Sequence, residues 1–123
     1  MKRLAAGRIK KRGQCRVVLV TCGKLAEARR IARAAVESNL AACVNVLLTP
    51  VESVYRWKGK VETAREYLLV MKTVTERLPE LQRLVKRLHS YDVPEFIVLP
   101  IVDGSREYLE WLKESVGSSR SGK

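Results

Sequence analysis

One histidine, His89, stands in 123 residues, so no single chain can build a histidine-rich metal site. Three cysteines, Cys15, Cys22 and Cys43, make an odd count in apolar settings. That fits reduced thiols in a cytoplasmic protein better than a disulfide framework. Amides are confined to Gln14, Asn39, Asn45 and Gln82, beside abundant Arg and Glu, the balance favoured in proteins that work hot. No apolar run reaches the roughly eighteen residues of a membrane span, and no apolar core follows the basic start, as a secretory signal would require. GxGxxG and P-loop sequences are missing. So are CxxC, HExxH and GxSxG. A Ser-His-Asp arrangement would have to use His89, and no serine context supports it. These absences point away from an enzyme.

What is present begins with charge. The formal net charge is +11, but all 13 Asp and Glu lie between Cys15 and Val116. Residues 1–14 carry Lys2, Arg3, Arg8, Lys10, Lys11 and Arg12 with no acid, and residues 117–123 add Arg120 and Lys123. The basicity therefore sits mostly in two tails, read as a disordered extension and a flexible end. A basic tail can also meet nucleic acid or an anionic surface. Between them the expectation is one domain, residues 15–116.

Arg16–Cys22 is a nearly continuous apolar run that suits a central strand. Lys24–Asn39 follows as an amphipathic helix, with Leu25, Ala28, Ile31, Ala32, Ala35 and Val36 on one stripe. Two β-branched arms come next, Val44–Tyr55 and Val61–Thr73, joined by Trp57-Lys58-Gly59-Lys60, where Gly59 can take a positive φ. Each arm spans roughly 40 Å at about 3.3 Å per residue, against a radius of gyration near 13 Å for about 100 residues. A straight hairpin of that length overhangs its own core, and Pro50 marks a place for it to bend or bulge. The overhang, with Tyr55, Trp57 and Tyr67 on it, asks for a partner, and another copy of the chain is the expected one.

A second helix starts with Thr75 as N-cap, tolerates Pro79 near its start, and ends around His89-Ser90. Its stripe is Leu78, Leu81, Leu84, Val85 and Leu88. Glu95–Val102 is the fourth strand, with Pro100 placing its later part at an edge. Ser105 caps a third helix, Arg106–Val116, whose apolar residues are Tyr108, Leu109, Trp111 and Leu112. The order β-α-β-β-α-β with an extra C-terminal helix predicts an α+β, ferredoxin-like fold, an antiparallel sheet with both main helices on one face. The third helix, another chain or water must cover the other face.

Cys22 ends a strand just before a helix N-terminus, where thiolate is favoured. With His89 it could hold a copper ion or another divalent metal, if the fold brings them together. Three His89 side chains from three chains are another way to such a site. Against this, His89 can simply bond the last carbonyls of its helix, and each cysteine can be a small buried hydrophobe. Asp92 and Glu95 flank Tyr91 and can accept a ligand's amine or a metal's water, or pair with arginines. Glu66 and Lys72 share a strand face but lie roughly 20 Å apart, so each needs another partner; the alternative for Lys72 is a strand-end charge in solvent. Trp57 and Tyr55 share a face as interface anchors or a ligand platform.

Ala41-Ala-Cys-Val-Asn45, Ser53-x-Tyr-x-Trp-x-Gly-Lys60, Glu66, Lys72-Thr73, His89-x-Tyr91-x-x-Pro94-Glu95 and Tyr108-Leu-x-Trp-Leu112 together resemble the CutA family of divalent-cation-tolerance proteins. The match covers Arg16–Val116. The resemblance implies a ferredoxin-like homotrimer akin to the PII signalling proteins, a part in tolerance of copper and other divalent metals, copper binding, and no assigned reaction. It departs locally: the family usually reads His-Pro-Tyr-Glu where this chain has His89-Ser90-Tyr91-Asp92. The basic extension is outside the pattern. A PII-like pocket for a small molecule, with Trp57, Glu66, Lys72, Tyr91, Asp92 and Glu95, is the alternative to metal homeostasis. An RNA-binding module is a second alternative, because the fold is shared with RNA-recognition domains. Those domains stack bases on aromatics of their central strands, which Arg16–Cys22 lacks, so nucleic acid would have to bind the basic tail. A hydrolase of this fold would need a Gly-rich anion loop, and none is present.

Overall fold

Alternating burial organises the first strand, β1 (Cys15–Cys22). The computed structural model describes residues 14–117; the expectations for the basic extension and the tail beyond Gly117 lie outside the described residues. Val18, Val20 and Cys22 point to one side of β1 and are fully buried. They pack under α1 (Leu25–Glu37) with its Ala28, Ile31, Ala32 and Ala35. Val36, expected on the buried stripe, is 40% exposed instead. The helix ends where Asn39 takes φ +61°. There Asn39 N–H donates to Val36 O at 3.0 Å and Leu40 N–H to Ala35 O at 2.9 Å, which closes the last turn and drops Leu40 into the core.

The hairpin is long, but its first arm is broken. It forms β2 (Cys43–Val46) and β3 (Val51–Trp57), both paired antiparallel with the single strand β4 (Lys60–Val74). Val46 pairs with Leu69 and Val51 with Glu66, so residues 47–50 stand opposite only Tyr67 and Leu68. This two-residue excess, at Pro50, is the bulge the sequence offered. Lys58 and Gly59 close the hairpin with φ +52° and +81°, the pair of positive values that matches strand twist in a two-residue turn. β1 pairs with β4 only from Cys22↔Tyr67 to Cys15↔Val74. Residues 51–57 and 60–66 therefore project as a two-stranded ribbon beyond the main sheet. Tyr67, expected on the overhang, is placed against the helix-covered core, because it pairs with Cys22.

A 3-10 turn, Thr75–Arg77, leads into α2 (Leu78–Leu88). Thr75 does not cap α2: its N–H and hydroxyl both reach the carbonyl of Gln14, which the β1–β4 pairing brings beside it. Leu81, Leu84 and Val85 complete the core under the helices. β5 (Ile97–Pro100) pairs with β1 alone, giving the order β2-β4-β1-β5, with Pro100 at the sheet edge. The result is the antiparallel ferredoxin-like sheet with α1 and α2 on one face.

The last helix, α3 (Arg106–Gly117), begins where Ser105 Oγ accepts Tyr108 N–H at 3.2 Å. Its Leu112 and Val116 pack on Cys15, Ala42 and Val74 at one end of the opposite face. Leu112 is fully buried, so Leu112→Ala is expected to lower the unfolding free energy by about 3 kcal/mol, measured as a shift in the urea midpoint. The rest of that face stays open: Val17, Leu19, Leu68 and Val70 are only half-buried, and Ile97 and Leu99 are exposed. Among the described residues no helix is long and apolar enough to cross a membrane.

Candidate functional site

The end of β1, the start of α1 and the end of α2 meet at one corner. Beyond Leu88 the chain becomes extended at His89, with φ −85° and ψ 146°. This turns the ring inward, and His89 keeps only 8% of its surface. Nε2–H donates to Thr21 O at 2.7 Å, and Nδ1 accepts Tyr91 N–H at 3.1 Å. The first bond commits the Nε2 proton and leaves the Nδ1 lone pair facing the protein. The side-chain bond of His89 is thus to Thr21 O, near the end of β1, and not to a carbonyl at the end of its own helix.

Glu27, in the first turn of α1, is buried at 7% exposure. Its Oε2 lies 3.3 Å from His89 Nδ1 and accepts the N–H and hydroxyl of Ser90 at 3.2 and 3.3 Å. Cys22 is the third member: one donor atom from each of Cys22, Glu27 and His89 lies within 4.8 Å of the others. The donors suit a borderline or soft cation in kind. With bonds of about 2.1 Å to N and O, a tetrahedral edge is about 3.4 Å, close to the 3.3 Å between Nδ1 and Oε2. All three donors lie within 4.8 Å of one another, so a cation would have to draw them together by no more than about 1.4 Å.

The thiol is not the activated one the sequence suggested. Burial first, then the charges of Glu27 and Glu66, push Cys22 up to about 12. These outweigh proximity to the helix N-terminus, and a metal must therefore displace its proton. Cys15 sits in the smaller core cluster, with burial again pushing its thiol up. Cys43 lies 3.8 Å from the Tyr108 hydroxyl. Neither belongs to this corner.

A cleft of about 660 Å³ opens beside the cluster, between the ribbon and the segment after α2. Tyr55, Trp57, Glu66, Tyr91, Asp92 and Glu95 all line it, and no Lys, Arg or His does. Tyr91 donates its hydroxyl to Glu66 Oε2 at 2.8 Å, and a Cβ on Gly23 would stand 3.0 Å from the Tyr91 phenol oxygen. Glycine lets the phenol reach this carboxylate. Burial, the hydrogen bond to Glu66 and its charge hold the Tyr91 phenol well above its ordinary range. Glu95 is also raised, by burial and then by Glu66, with a hydrogen bond from Thr21 opposing. Lys72 is elsewhere: it bonds Asn45 across the β2–β4 ladder.

Sequence reasoning missed Glu27. The available signal was its spacing, four residues before Ile31, which puts an acid on the buried stripe of α1.

The family model that matches residues 16–115 is that of the CutA1 divalent ion tolerance protein. The "Divalent-cation tolerance protein CutA" of Thermus thermophilus is 50% identical over 101 residues, covering 82% of this chain and 97% of that protein. Its solved structure superposes with a TM-score of 0.81 over 84% of this chain and 99% of that one. The structure described as the periplasmic divalent cation tolerance protein CutA from Archaeoglobus fulgidus gives a TM-score of 0.79 at 39% identity, over 83% of this chain and 98% of that one. "Protein CutA 1, chloroplastic" of rice is 48% identical over 103 residues, 84% of this chain; the chain spans 58% of that relative's length.

Proposed function

Because the chain belongs to the CutA1 divalent ion tolerance family, we propose that it is a homotrimeric, non-enzymatic protein that binds a divalent, copper-type cation through His89 and Cys22. The observation that carries this reading is the meeting of Cys22 and His89 with Glu27, three buried donors of different kinds at one corner. Nε2–H on Thr21 O holds the ring so that Nδ1 faces Glu27, the kind of outer hydrogen bond that orients a ligating histidine. The projecting ribbon and the open apolar sheet face support assembly: Val54 and Val61 are 65% and 64% exposed, and Ile97 46%. All three cysteines are free, which suits a reducing compartment such as the cytoplasm.

The cleft favours a second reading, a PII-like pocket for a small molecule, since its volume is that of a ligand site. Native mass spectrometry of chelator-treated protein, before and after one equivalent of Cu(II) or Zn(II) per chain, separates the two. A trimer with discrete, saturable adducts is expected. A trimer with only scattered adducts would overturn the metal reading and leave the cleft, and a monomer would overturn the assembly.

A further inference from the structure

We infer that Ser90 and Tyr91 form a latch over the cation site, shut by their own hydrogen bonds and released when a cation enters. This rests on the cation reading of Cys22, Glu27 and His89. His89 Nδ1 has one lone pair, and Tyr91 N–H takes it at 3.1 Å. Nδ1 is also the ring atom that faces Glu27, since Nε2 is committed to Thr21 O. A cation on Nδ1 takes the lone pair and leaves Tyr91 N–H without its acceptor. The same cation on Glu27 Oε2 competes with the N–H and hydroxyl of Ser90. Both residues of the segment lose partners in one event. Ser90 and Tyr91 are exposed at the end of α2, so moving them disturbs little of the core.

What remains to hold the latch is at its far end. The Tyr91 hydroxyl is anchored on Glu66 at 2.8 Å, and its ring lies 4.7 Å from the His89 ring. Opening the latch draws the phenol out of the cleft and strips Glu66 of its hydrogen-bond donor. Cation site and cleft are therefore one coupled system, and the coupling is reciprocal. Weakening the anchor must raise cation affinity. A purely structural role for Tyr91 predicts the opposite sign or no change.

The test is Zn(II) titration of the full chain and of Tyr91→Phe, which removes only the hydroxyl, with amide hydrogen exchange followed by NMR. Tyr91→Phe is expected to bind Zn(II) about tenfold more tightly, the order of one hydrogen bond to a carboxylate. Ser90→Ala, which takes one donor from Glu27, is expected to tighten binding in the same direction. The Tyr91 amide in the unaltered chain is expected to exchange faster once Zn(II) is bound. Unchanged or weaker binding in Tyr91→Phe, or an amide that exchanges no faster, overturns the latch and leaves the cation reading standing. No Zn(II) uptake by the unaltered chain overturns both.

Discussion

Replacing His89 with alanine is expected to remove the proposed uptake of Cu(II) and Zn(II) and to lower fold stability by about 2–4 kcal/mol. The second effect comes from groups left behind. Thr21 O loses its donor and Tyr91 N–H loses its acceptor, while Glu27 keeps only its contacts with Ser90. Each buried polar group left unpaired costs about 1–3 kcal/mol. The imidazole volume is also lost from a site that is 8% exposed. His89→Gln separates the two effects. Its amide both donates and accepts, so it is expected to recover much of the stability while remaining a poor ligand for copper or zinc. Urea unfolding checks the first half and native mass spectrometry the second. Full uptake in both variants would remove His89 from the site.

Trp57→Ala is expected to weaken the proposed trimer by about 30-fold to 1,000-fold, the range of a truncated aromatic anchor worth roughly 2–4 kcal/mol. Within one chain the ring lies outside both buried core clusters. It is 42% exposed at the tip of the ribbon, where it lines the cleft, with the Lys58 ammonium 5.8 Å from its centroid. Folding of the single chain should hardly notice the change, so a lost assembly cannot be blamed on unfolding. Light scattering across a dilution series reads the shift, with circular dichroism as the check on the fold. A trimer equally resistant to dilution in the variant would exclude the ribbon tip from the interface and leave assembly to the open face around Leu19 and Val70.

The helices and strands were legible because they rest on local periodicity. A continuous apolar run marked β1 as a central strand, and a three-to-four spacing in α1 and α2 set which side chains go inward, Val36 excepted. The turn at Lys58-Gly59 was legible for the same reason, since its backbone angles are a property of two residues. The resemblance to the family was carried by short motifs already in order along the chain. The cleft residues Trp57, Glu66, Tyr91, Asp92 and Glu95 could be named, though not shown to meet. Asn39 was not recognised as the left-handed cap of α1, and Thr75 was given a cap it does not make; both helix ends depend on what the neighbouring carbonyls offer.

The sequence by itself determined the order of strands and helices, the main buried stripes of the helices, and the length of the hairpin. Only the tertiary structure decided that Tyr67 belongs under the helices while Tyr55 and Trp57 stay on the ribbon, because a two-residue excess at Leu47–Pro50 and the end of β1 set where pairing stops. It also decided that Lys72 meets Asn45 and that Glu27 joins Cys22 and His89. Cys22 and Glu27 stand near each other in sequence, at the end of β1 and the start of α1, but His89 follows α2, far along the chain, and no shared spacing links it to them. Packing two helices on one face of a twisted sheet brings them to one corner, and the low polarity there raises the Cys22 thiol that its sequence position alone would have lowered.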